Sequence, residues 1–110
     1  MMLFLDDERV PHEVTWITLY EGSYDIVRTQ EEFQAWILTH GIPNVISFDN
    51  DLGANMGEGI HCVNWLIDQV LDTRVAWNPD FQYTIHSKNV VAADLMRSKL
   101  DQFSKFMNSG

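Results

Sequence analysis

Four short segments of the chain are built to be buried as strands. Met2 to Leu5 and Val45 to Phe48 are continuous apolar runs, too short for a helix and suited to a strand covered on both faces. Tyr24 to Arg28 alternates in and out, and Phe81 to Ile85 follows the turn pair Asn78-Pro79. Between and after them the period changes to that of a helix. Thr29 with Glu32 forms a capping box, Phe33, Trp36, Ile37 and His40 make one apolar face, and Gly41 and Pro43 provide a stop. A second helix is predicted from near Ile60, with Val63, Leu66, Ile67 and Val70 on one side and Asp68 and Asp72 on the other. Asn89 caps a third that carries Met96, Leu100, Phe103 and Met107. Glu8 to Ser23 fits neither period: Pro11 breaks a helix, while Trp16, Ile17 and Thr18 are β-prone. It reads as an irregular arm with room for a short extra strand.

The resulting order β, β, α, β, α, β, α predicts one α/β domain over residues 1–110. Its expected architecture is a small three-layer, doubly wound, mostly parallel sheet of about four strands with helices on both faces. Ligands of such sheets bind outside the carboxyl ends of the strands, where the strand order reverses. Three strands here end in polar groups: Asp6 and Asp7, then Asp49 and Asp51, then His86, Ser87 and Asn89.

One Asp after a strand is commonly a turn former or a cap. Two pairs sharing a crevice are different, because like charges about 4 Å apart repel by about 4 kcal/mol at an effective dielectric near 20. They need a cation or protons. Oxygen ligands select Mg²⁺, Mn²⁺ or Ca²⁺, and Mg²⁺ on one or two carboxylates keeps positions for phosphate oxygens, which predicts a phosphate-bearing ligand. Asp6 and Asp7 point to opposite faces if the strand runs through both, so one belongs to the loop or stands behind the other; Asp51 can instead shape its loop. His86 is either a proton-transfer group or a packed histidine. Ser87 and Asn89 are helix caps or phosphate ligands, Lys88 neutralises an oxyanion or is solvated, and Arg9 grips phosphate or pairs with the acids. Gly53, Gly57 and Gly59 allow tight turns without forming a phosphate-loop motif, and His12, His40 and His61 have packing or surface roles.

Sixteen acidic against seven basic residues give a net charge of -9, which opposes general nucleic-acid binding and anionic membranes, and equally serves solubility. Charge at the sixth position leaves no room for a secretory signal, and Cys62 alone makes neither a disulfide nor a thiolate zinc site. A reducing, cytoplasmic location is expected.

Leu-Phe-Leu-Asp-Asp-Glu-Arg at 3 to 9 with Pro11, Ser-Phe-Asp-Asn-Asp-Leu-Gly at 47 to 53, and Ile-His-Ser-Lys-Asn at 85 to 89 occur in that order. Together they resemble the cyclic-phosphate-processing receiver-like domains, divergent relatives of two-component receivers. The resemblance implies a receiver/flavodoxin-like fold and an acidic site of Asp6, Asp7, Asp49 and Asp51. Arg9, His86 and Asn89 are the other matched polar positions, and Gly53 and Gly59 match structural glycines. It implies processing of cyclic phosphates, and the acidic crevice with His86 makes the expected activity a metal-dependent phosphodiesterase acting on a cyclic nucleotide or a nucleic-acid end bearing a cyclic phosphate. Mg²⁺ or Mn²⁺ would lie on the four aspartates, with His86, Asp49 and Asp7 at the reaction and Arg9, Ser87, Lys88 and Asn89 on the phosphate. Two departures stand out: Asn50 replaces a histidine often found between the paired aspartates, and the 10 to 23 arm is longer than usual. The alternatives are a non-catalytic module for a nucleotide or protein partner, and phosphoacceptance at Asp49. No fifth strand followed by a lysine is visible after His86 to support the last.

Overall fold

The structure is a computed structural model that describes residues 1–51 and 59–109. The apolar runs pair as parallel strands β1 (Met2–Leu5), β2 (Asp25–Val27), β3 (Val45–Phe48) and β4 (Gln82–Ile85) in the order β2-β1-β3-β4. The helices are α1 (Gln30–His40), α2 (Gly59–Leu71) and α3 (Val90–Asn108). The Thr29 hydroxyl caps α1 on the Glu32 N–H, but Glu32 reaches back to the Arg28 N–H, one residue earlier than a capping box requires. Asn89 caps α3 on the Ala92 N–H as predicted.

Strand alternation divides the sheet into two faces. Leu3, Leu5, Ile46, Phe48 and Ile85 join Phe33, Ile37, Cys62, Val63, Leu66, Met96 and Leu100 in one core. Each such side chain contributes about 1.5–3 kcal/mol on leaving water. The opposite face carries Phe4, Ser47 and Thr84 and is roofed by the arm: Val14 is buried, the Trp16 indole N–H reaches the His86 carbonyl, and Tyr24 meets Phe4 edge-on.

The receiver-like α/β class and the reversal of winding at β1 are present, and the expected helices on both faces are not. The steps β2 to β3 and β3 to β4 run in one direction, so right-handed crossovers place α1 and α2 on the same side. α3 packs against α2 and completes that layer. The reverse step, β1 to β2, lies on the other side, and its connection is the arm. Pro11 and the β-prone residues after it allow only a 3-10 turn, Pro11–Glu13, and no extra strand forms there. After β4 the chain passes directly into α3, so no fifth strand follows His86 among the described residues. None of the described helices is long and apolar enough to cross a membrane. Gly53 and Gly57 lie outside the described residues.

Candidate functional site

The strands end flush. Leu5 is level with both Val27 and Phe48, and Phe48 with Ile85. The ladder then continues one residue further, with the N–H groups of Asp6, Asp49 and His86 donating to Val27, Leu5 and Phe48 at 3.2, 2.9 and 2.9 Å. This register brings the three side chains together, and ligand-type atoms of Asp6, Asp49 and His86 lie within 4.8 Å of one another.

Asp6 is the fixed member. Its Oδ1 accepts from the N–H groups of Glu8 and Arg9 at 3.0 and 2.9 Å, and its Oδ2 meets His86 Nε2 at 3.0 Å. Arg28 braces the same loop by donating to the Asp6 and Arg9 carbonyls. Burial alone would raise the Asp6 carboxyl, but the His86 bond and the two N–H groups outweigh it and hold the carboxyl well below the usual carboxylate range.

His86 is fully buried and stacks flat on Phe4, with ring centroids 4.5 Å apart. Its Nδ1 meets Ser47 Oγ at 2.7 Å, and Thr84 donates to that oxygen at 2.8 Å. Ser47 Oγ thus links Thr84 to His86 Nδ1, while Nε2 faces Asp6 Oδ2. The sequence Asp6, His86, Ser47 has the order of a hydrolytic triad, but Ser47 is 0% exposed and cannot reach a substrate. The network is a scaffold for Asp6.

Above it opens a crevice of about 260 Å³ lined by Asp7, Glu8, Arg9, Asp49, Asp51, Ser87, Lys88 and Asn89. The structure thus brings together seven of the predicted site residues at this mouth and places Asp6 and His86 beneath it. Burial raises the Asp7 carboxyl, with Asp6, Glu8 and Asp51 adding to it. Asp49 is pushed up to about 6, first by burial and then by Asp6, against the opposing influence of His86, the Asn50 N–H and Arg9. Arg9 stands 3.6 Å from Asp6 and 3.9 Å from Asp49, so it pairs with the acids and lines the crevice at once. Among these residues the charge-bearing donors available to a cation are all carboxylate oxygens, which fit a hard divalent ion.

Three contributors escape sequence reasoning: Ser47, Trp16 and Arg28. Ser47 had a signal, since it is the one polar residue in a buried run and shares the face of Asp49 two positions on. Trp16 and Arg28 act through tertiary contacts that no local pattern encodes.

Gly59, the first residue of α2, is where the helix meets the acidic strand end. Its N–H donates to the Asn50 carbonyl at 2.6 Å, and a Cβ there would come to 1.9 Å from the Asp49 carbonyl oxygen. Backbone occupies that space, so Gly59→Ala must displace α2 or Asp49. A loss of about 1–3 kcal/mol in urea unfolding is expected, and an unchanged midpoint would contradict this packing.

A family model described as cyclic-phosphate processing receiver domain matches residues 1–102. No curated protein and no solved structure matches the chain.

Proposed function

Because this chain belongs to the family of cyclic-phosphate processing receiver domains, we propose that it hydrolyses the cyclic phosphate of a nucleotide or RNA end with Mg²⁺ or Mn²⁺. The observation that carries this reading is the convergence of Asp7, Asp49 and Asp51 with Arg9, Lys88 and Asn89 around one crevice at the switch point of the sheet. Asp49, Asp7 and Asp51 would hold the cation, with Asp6 behind them. A bound divalent ion supplies charge neutralisation of the phosphoryl group and a more acidic water.

The remaining roles fall to the chain itself. Arg9 and Lys88 offer cationic donors to the phosphate oxygens, and the Ser87 to Asn89 turn at the start of α3 offers polar donors. Water adds to phosphorus and gives up a proton to solvent, one ring P–O bond breaks, and the released oxygen takes up a proton, leaving a phosphomonoester and a free hydroxyl. His86 has both ring nitrogens occupied and no exposure, which favours a positioning role through Asp6 in place of direct proton donation. Asp7 lines the crevice as one of the carboxylates that would hold the cation, so the released oxygen takes its proton from solvent.

The test is turnover of 2′,3′-cyclic mononucleotides, cyclic dinucleotides and RNA ends bearing a 2′,3′-cyclic phosphate, with Mg²⁺ or Mn²⁺, followed by phosphorus NMR. Absence of product with every metal sinks the hydrolytic reading. Thermal stabilisation with the ligand recovered intact would instead support a non-catalytic binding module.

The crevice also sets an expectation about the base. At about 260 Å³ it is smaller than the roughly 300–1,000 Å³ that encloses a drug-sized ligand. It accommodates the phosphate and sugar and leaves the base outside. The four 2′,3′-cyclic mononucleotides are therefore expected to differ by less than about tenfold in kcat/KM, a discrimination of about 1.4 kcal/mol. Strong preference for one base would place the base in contact with the protein.

A further inference from the structure

We propose that Trp16 is a positioning residue of the crevice, holding Arg9 and Lys88 at its mouth; this rests on the phosphate-binding reading above. The observation is a single indole shared by two cations that arrive from different elements. Arg9 follows β1 and Lys88 follows β4, yet the Arg9 guanidinium carbon lies 5.1 Å and Lys88 Nζ 4.2 Å from the centre of the Trp16 ring. Both residues line the crevice in that arrangement. The indole itself is fixed at its polar edge, since Nε1 donates to the His86 carbonyl at 2.8 Å. Trp16 thus ties the arm to the strand end beneath the acids.

The consequence follows from side-chain entropy. Arg and Lys side chains are rotamer-rich, and a ligand that must order them on its phosphate loses that freedom on binding. A ring that gathers both cations in advance lowers this loss, which is preorganisation rather than a new contact. The cation–π attraction supplies the hold. Near four carboxyl-bearing residues it also keeps Lys88 at the rim, so that a phosphate meets a cationic edge above an acidic floor.

The experiment is calorimetric titration of the intact protein, in Mg²⁺, with adenosine 3′-monophosphate, which is not cyclic and is not turned over, and with inorganic phosphate, on wild type, Trp16→Leu, Trp16→Phe, Lys88→Ala and the Arg9→Ala, Lys88→Ala pair. Trp16→Leu is expected to weaken both ligands roughly three- to thirtyfold, and Trp16→Phe, which keeps a ring, to recover part of the loss. In a Lys88→Ala, Arg9→Ala background Trp16→Leu is expected to have no further effect, because it acts through those two cations. Unchanged affinity in Trp16→Leu, or equal losses with and without the cations, overturns the inference while leaving the phosphate site standing. If wild type binds neither ligand, the site reading fails and the inference falls with it. Lys88 is exposed, so its variant keeps the comparison interpretable should the arm of Trp16→Leu unfold.

Discussion

His86→Ala is expected to destabilise the protein by about 3–5 kcal/mol at neutral pH, the cost of leaving a buried charge without its partner. Asp6 is 0% exposed, and once the imidazole is gone its Oδ2 keeps, among the described residues, the Arg9 guanidinium at 3.6 Å. The ring also fills space against Phe4, and its removal leaves a cavity there. The pH dependence has a definite sign. The folded carboxyl of Asp6 lies below its ordinary value of 3.8, so it contributes stability that is present above about pH 4 and is lost as pH falls through its folded value. Without His86 much of that contribution disappears, and the gap between variant and wild type is widest near pH 7 and narrows on acidification. Urea unfolding at the two ends of that range reads it directly. Adding Asp6→Asn to His86→Ala is expected to restore part of the loss, because the unpaired charge is then removed. A cost of only about 0.5 kcal/mol, the size of an ordinary surface substitution, would mean that the buried pair does not organise the site.

Much of this arrangement is legible in the chain because fully buried parallel strands leave an unbroken apolar signature. Met2 to Leu5 and Val45 to Phe48 have no other compact use, and the carboxylates that end them mark the sheet edge where ligands bind. The caps Thr29 and Asn89 are local, chemical and correctly placed. Register is neither local nor chemical. That Leu5, Phe48 and Ile85 end level, so that Asp6, Asp49 and His86 form one row, depends on pairing between distant segments. The same dependence hides the fate of His86. A histidine after a strand is equally compatible with the crevice and with the core, and the choice is made by Ser47, Thr84 and Phe4 reaching it from the face beneath.

The arm is the other limit. Its composition rules out a helix through Pro11, yet the periodicity of residues 14–20 carries no information about where Trp16 points. Its place over the sheet follows from topology instead: a chain that steps backward from β1 to β2 must cross the face opposite α1 and α2. A sequence pattern that predicts three layers therefore succeeds in the count and fails in the content, since the third layer is held by Val14, Trp16 and Tyr24 rather than by a helix.

Asp49→Asn is expected to move stability and function in opposite directions. Without metal, burial and the neighbouring Asp6 raise Asp49 to about 6 from an ordinary value of 3.8. A carboxyl raised in this way contributes stability that is fully present below its unfolded value and is lost as pH rises through its folded one, so the loss accumulates between about pH 4 and pH 6. Each tenfold change in the acid's dissociation constant corresponds to about 1.4 kcal/mol, and the interaction with Asp6 keeps the net effect at roughly 1–3 kcal/mol. In chelator near pH 7.5 the Asn variant is therefore expected to melt several degrees above wild type, at about 4–8 °C per kcal/mol, and the advantage vanishes near pH 4. Function follows the reverse course, since a neutral amide no longer draws a hard cation into the crevice. Mg²⁺ is expected to raise the melting temperature of wild type near pH 7.5, to do so less near pH 5 where the proton competes, and to leave Asp49→Asn unmoved. Turnover of a cyclic phosphate should fall at least about 100-fold, beyond the loss typical of an outer-shell partner. Mg²⁺ that still stabilises the variant would place the cation away from Asp49. A variant less stable than wild type in chelator would mean that the ionised carboxylate is held by contacts stronger than Arg9 and the Asn50 N–H provide.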